Sequence, residues 1–149
     1  MTRSASPTQF LSPDESAAVT GAVAEAERRM SAEIKVITLR HCWNRIDAKA
    51  TRIFRKLGLD KTRERNCVLI LLVTTNREFI VYRDKGIYEK VGQHFWDDVR
   101  DEMQREFRAD RFAEGLVAGI GRIGEKLSTH FPRRGDDQNE IPDEVAHEE

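Results

Sequence analysis

Long apolar runs are missing from this chain. The longest, Cys67 to Val73, has seven residues, where a membrane helix needs about 20. Met1 to Gln9 is polar and lacks the apolar centre of a secretory signal. Neither a membrane anchor nor export is therefore expected, and the expected compartment is the cytoplasm. Charge of one sign is lacking too. With 25 Lys and Arg against 26 Asp and Glu, the net charge is -1, which gives no reason to expect binding to nucleic acid or to a membrane surface. The four histidines show no metal spacing such as HxxxH, and there is no internal repeat.

Cysteine is scarce, with two in 149 residues. Cys42 falls at the end of one predicted strand and Cys67 at the start of the next. If those strands run parallel, the thiols lie roughly 20 Å apart at opposite ends of the sheet, far beyond the ~7 Å that a disulfide spans. Two free thiols suit a reducing compartment.

What remains is a chain 34% charged and 39% hydrophobic, long enough for one domain with a real core. Ser12-Pro13-Asp14-Glu15 reads as a capping box with proline at the first helical position. Val19, Ala22, Val23, Ala26 and Met30 follow at helical spacing and predict a helix over 13–30. The β-branched stretch 33–40 predicts a strand. Ala50, Ile53, Phe54 and Leu57 predict a helix that Gly58 ends. Strand, helix, strand is a parallel crossover unit. Its second strand, 67–73, is apolar without alternation, so both of its faces must be covered. Residues 79–82 return antiparallel after a short polar turn. Trp96, Val99, Met103 and Phe107 mark one amphipathic helix, and Phe112, Leu116, Ile120, Ile123 and Leu127 another. The segment after Pro132 carries nine charged residues, seven of them acidic. It is expected to be disordered for want of apolar groups. The expected division is a flexible arm over 1–10, a domain over 11–132 and a disordered acidic tail over 133–149.

Several stretches imitate chemistry. Gly119 to Gly124 matches GxGxxG, but that fingerprint works in a strand-to-helix turn and here it falls inside a helical stripe. No nucleotide is expected there, and small residues such as Gly115, Ala118 and Gly119 are expected to let this helix approach a neighbour. His41 and Cys42 are adjacent on a strand and point to opposite faces, which makes a poor dyad. Asp97, Asp98, Asp101 and Glu102 suit a helix N-terminus, with Asp101 and Arg105 spaced as an ion pair. "YRDKGI" is the better site candidate. It is anchored by a buried strand, Gly86 permits a tight loop, and Asp84 offers a hard oxygen ligand.

The segments "SAEIKV", "RNCVLILLV", "RDKGIYEKV", "FWDDVRDEM", "FRADRFAEGLVAGI" and "GEKLSTHFP", in that order and spacing, resemble the TPM domain in its short soluble bacterial form, from about Phe10 to Pro132. The resemblance implies a single α/β domain: a three-layer α/β/α sandwich around a small mixed sheet with a mainly parallel core. It also implies divalent-cation binding in some members and acid phosphatase activity in a plant thylakoid member. This chain departs from the family pattern in having Cys67 where glycine is usual, Arg83 where glycine precedes the loop acid, and Asn76 where longer relatives carry an acid. Glu33, Asn66 and Asp84 are expected at one end of the sheet, where the loop 59–65 also arrives.

The leading expectation is weak binding of Ca²⁺ or Mg²⁺ through Asp84 with help from Asn66, Glu33 or Glu89, in a regulatory or interaction role, with Arg83 weakening or replacing the cation. A metal-assisted phosphatase that uses Asp84 is the second expectation. A module that binds an unidentified protein partner is the third.

Overall fold

The computed structural model describes residues 3–133 and 141–148. Its centre is a four-stranded mixed sheet in the order β3-β2-β1-β4, built from β1 (Glu33–Leu39), β2 (Cys67–Val73), β3 (Phe79–Arg83) and β4 (Ala146–Glu148). β1 and β2 run parallel with Glu33 opposite Cys67 and Leu39 opposite Val73. β3 is antiparallel to β2, pairing Val68 with Arg83.

All seven residues of β2 are buried, as an unbroken apolar run requires. One face is covered by α1 (Pro13–Glu27), α4 (Gln93–Arg108) and α5 (Phe112–His130), and the other by α2 (Ile46–Lys56). The fold is therefore the expected α/β sandwich. Val68, Ile70 and Leu72 enter the first core, while Leu69, Leu71 and Val73 enter the second. Among the described residues, no helix is long and apolar enough to cross a membrane.

Local chemistry sets the boundaries. In the capping box, Ser12 Oγ accepts from Glu15 N at 3.1 Å and Glu15 Oε1 accepts from Ser12 N at 2.9 Å. α1 stops at Glu27, earlier than the spacing predicts, and Met30 instead forms a bridge with Pro132. The glycines of α5 make room for its neighbours. A Cβ on Gly119 would lie 2.6 Å from Met103 Sδ, and one on Gly124 would lie 2.7 Å from Ala26 Cβ. The GxGxxG stretch is thus a helix-packing surface and not a strand-to-helix turn.

The described parts of the expected flexible arm and of the expected disordered tail are docked on the body. Residues 3–10 lie against the body: Phe10 meets Phe112 edge-on at 4.8 Å, Arg3 pairs with Glu15 at 2.7 Å, and Thr38 Oγ1 donates to Pro7 O at 3.0 Å. Residues 134–140 lie outside the described part, but 141–148 dock on the edge of β1, with β4 parallel to it. Composition misled because the docking is largely polar. Glu33 Oε1 accepts from Ile141 N at 2.7 Å. Lys35 Nζ donates to Pro142 O at 3.1 Å and Glu144 O at 2.8 Å. Ile141 itself is buried.

Under this docked segment Glu27 is buried and accepts from Ile34 N at 2.9 Å. Burial, with a hydrogen bond to Asp143 and the charge of Glu33 adding to it, pushes its carboxyl up to about 9. Glu27 is therefore protonated at neutral pH in the folded chain and ionised once unfolded.

Two outcomes follow. Truncation after residue 140 removes the burial of Ile141 and the partners of Lys35 and Glu33. It should cost about 2 kcal/mol, or roughly 4–8 °C in Tm for a chain of this size, and an unchanged Tm would mean the segment does not dock. For Glu27 the folded state binds the extra proton, so its contribution is complete below the ordinary carboxylate pKa and is lost as pH rises toward 9. Glu27→Gln should match the parent near pH 4.5 and melt higher than it near pH 9, by thermal unfolding across that range.

Candidate functional site

β3 ends beside the start of β2, and Asp84 N donates to Cys67 O at 3.1 Å. Asp84 then caps the short helix α3 (Lys85–Tyr88), its Oδ1 accepting from Lys85 N at 2.8 Å. Gly86 lets the backbones cross, since a Cβ there would lie 2.3 Å from Glu64 O. That crossing brings in Arg65, a non-glycine residue held at φ 51°. Its Nε donates to Asp84 Oδ2 at 2.7 Å and its Nη2 to Oδ1 at 2.8 Å. The two-pronged fork matches a carboxylate in charge and shape, and the Asp84 contact raises the Arg65 pKa.

The expected cation ligands reach one end of the sheet without converging. Asp84 has both oxygens on Arg65. Asn66 is buried, its Nδ2 directed at Ser31 Oγ at 3.5 Å. Glu33 turns one oxygen to Ile141 N at 2.7 Å. Glu89 is exposed at the C-terminal end of α3. A divalent ion needs oxygens gathered within about 2.6 Å of one point. Among the described residues, no three His, Cys, Asp or Glu side chains are grouped to hold one. As arranged, the four do not fit a cation, and one entering at Asp84 must first displace Arg65.

The positive charge at Asp84 is thus Arg65 and not Arg83, a correction to the sequence reading. Neighbours on a strand face opposite ways, so Arg83 turns toward α4. Its guanidinium lies 4.5 Å from the Tyr88 ring centroid and 4.8 Å from that of Trp96. Its Nη2 donates to Gln93 Oε1 at 2.8 Å, and Gln93 Nε2 in turn donates to Asp97 Oδ1 at 3.0 Å. Arg83 Nε is buried with no hydrogen-bond partner among the described residues. Burial lowers the pKa of this guanidinium, while Tyr88 and Asp97 oppose that shift.

Arg83 stands in a groove of about 510 Å³ that runs along β3 between the starts of α2 and α4. The other groove cations are already engaged: Arg45 with Asp47 at 2.7 Å, and Arg100 with Asp97 at 3.5 Å and Asp101 at 3.3 Å. The acids of α4 lie beyond its first turn, because the helix starts at Gln93. Glu102 pairs with Arg122. Asp101 thus bonds Arg100, where the spacing had predicted Arg105. At the far end of the sheet, His41 stacks on Trp43 at 5.1 Å and Cys42 Sγ donates to Asn44 O at 3.1 Å. They form no dyad.

Sequence reasoning missed Arg65 and the groove. The loop ending at Arg65 was correctly brought to the Asp84 end, and an arginine beside a lone loop acid was the available signal. Nothing in the sequence marks Gln93, Tyr88 and Trp96 as the surroundings of Arg83.

A family model described as the TPM domain matches residues 5–126. The NMR structure of BA42 from the psychrophilic bacterium Bizionia argentinensis superposes with a TM-score of 0.89 at 34% identity, covering 93% of this chain and 96% of that one. The solution structure of an N-terminal domain from P. gingivalis shares the fold, with a TM-score of 0.66 at 21% identity, covering 83% of this chain and 82% of that one. No curated protein matches.

If Arg65 occupies the place of a cation, millimolar Ca²⁺ or Mg²⁺ should leave the amides of Asn66 and of 84–89 in place. In Arg65→Gln, which frees the Asp84 carboxylate, Ca²⁺ should shift those same amides. Equal shifts in the parent and the variant, read by amide titration, would contradict the pair as the occupant.

Proposed function

The chain belongs to the TPM domain family, and from that premise we propose that it is a non-catalytic recognition module that takes an anionic ligand on Arg83. The observation that carries this reading is a buried guanidinium, stacked on two aromatic rings and open to a groove, with no carboxylate paired to it among the described residues. A cation held this way has lost solvation without regaining it from an ion pair. Stacking on Tyr88 and Trp96 repays part of that loss, and a bound anion repays the rest. An arginine fork suits a carboxylate or a phosphate oxygen pair.

The surroundings favour binding over turnover. The groove walls offer the hydroxyls of Thr51, Tyr82 and Tyr88, but neither histidine nor cysteine to activate one. Their two acids, Asp47 and Asp97, are paired with arginines. Asp84, the nucleophile in a phosphatase reading, is gripped by Arg65. Divalent cations enter this proposal as competitors of Arg65 for Asp84.

Trp96 gives a direct readout once the exposed Trp43 is replaced. In a Trp43→Phe background, titration with acetate or inorganic phosphate should change Trp96 fluorescence saturably. Arg83→Met, which keeps much of the side-chain volume and drops the charge, should abolish the response. p-Nitrophenyl phosphate should be hydrolysed no faster than in buffer, with or without Mg²⁺. A response that survives Arg83→Met, or hydrolysis that Arg83→Met removes, would contradict the proposal.

A further inference from the structure

The groove is bounded on one side by a strand, and that strand has an open edge. β3 is the outer strand of the sheet among the described residues. Two bonds fix its phase: Val73 N donates to Glu78 O at 2.8 Å, and Asp84 N donates to Cys67 O at 3.1 Å. In an antiparallel ladder the bonded pairs alternate. The even-numbered residues of β3 therefore bond to β2, and the N–H and C=O groups of Phe79, Val81 and Arg83 face outward. This edge lacks most of the usual protections, its one inward charge being Arg83. It has no proline, no lysine and no bulge, and its sequence, "FIVYR", strongly favours strands.

Resting on the anion-binding reading above, we infer that the anion belongs to an extended polypeptide segment that adds to β3 as a further strand and seats an acidic side chain on Arg83. Outward backbone groups supply affinity for any extended chain. Arg83 supplies the choice. Because its own N–H and C=O face outward, the residue directly opposite forms a hydrogen-bonded pair with it, about 5.5 Å away between Cα atoms, and directs its side chain to the same face of the sheet. That position is where an aspartate or glutamate meets the unpaired guanidinium. Charge complementarity has a precedent at the other edge of this sheet. There the acidic segment 141–148 lies along β1, its Glu144 backbone carbonyl accepting from Lys35 Nζ at 2.8 Å and its Glu148 carboxylate pairing with Lys56 at 3.5 Å. The fold thus adds an acidic segment of its own on one side of the sheet, and on the other β3 is an outer strand beside a guanidinium that has no carboxylate paired to it among the described residues.

The probes are a short capped β-forming peptide of alternating valine and threonine with one central glutamate, its glutamine counterpart, and a copy N-methylated on alternate residues to block one hydrogen-bonding edge. Amide shifts of the full chain are followed to millimolar peptide. The glutamate peptide should shift the amides of 79–83 and bind at least tenfold more tightly than the glutamine peptide. Arg83→Met should erase that preference, and the N-methylated peptide should not bind. Val81→Pro removes an outward donor and no β2 bond; it should block the peptide while acetate still reaches Arg83. If acetate binds at Arg83 and neither peptide moves 79–83, strand addition is overturned and the anion reading stands. Equal binding of the glutamate and glutamine peptides overturns Arg83 as the reader of an acid. If neither acetate nor peptide is felt at Arg83, both proposals fall.

Discussion

A strand with no polar side governs this protein. The seven residues of β2 leave no face for water, so a helical layer must cover each side of the sheet and a strand must flank β2 on each side. α1, α4 and α5 answer the first demand on one face and α2 on the other; β1 and β3 answer the second. The glycines of α5 follow from the same demand, because three helices on one face have to come close at Met103 and Ala26. What burying β2 cannot do is finish the sheet. Its outermost strands still carry backbone groups that need partners. Residues 146–148 pair with the end of β1 and become one outer strand, and β3, the other, opens on a groove.

Four charged sites around the sheet are met in different ways. Arg65 and Asp84 neutralise each other through a fork. Lys35 is solvated by the carbonyls of Pro142 and Glu144. Glu27 avoids charge by holding its proton. Arg83 is treated differently, with two aromatic rings, one glutamine oxygen and no carboxylate. The other three arrangements are complete within the fold. Of these four, Arg83 is the one that gains from something brought to it, and it stands on an outer strand of the sheet beside a groove.

Much of the fold was legible because it rests on local or periodic signals. The limits of β2 emerge from an unbroken apolar run, the start of α1 from Ser12 to Glu15, and the end of α2 from Gly58, which sits at φ 71°. The chain ends were misread because composition averages over a segment. It cannot see that Glu33 and Lys35, charged residues on a buried strand, need partners that Ile141 to Glu144 provide. The Asp84 end of the sheet was legible and its content was not. Strand direction places Glu33, Asn66 and Asp84 together, but which cation meets Asp84 depends on how one loop folds back at Arg65. Strand alternation could have turned Arg83 away from Asp84, but nothing short of the fold brings Tyr88, Gln93 and Trp96 around it.

The central claim is that Arg83 is a cation awaiting an anion, and its own Nε–H signal reports on that most directly. This group is buried without a hydrogen-bond acceptor among the described residues, and a hydrogen bond to a carboxylate moves such a proton downfield. With the protein labelled at arginine nitrogen, the account predicts one Nε–H resonance, absent in Arg83→Met, that moves downfield and saturates as acetate is added, while the Arg65 resonance, already bonded to Asp84, stays in place. An Arg83 resonance that does not move, or one that moves only in step with the exposed arginines and never saturates, would contradict the claim.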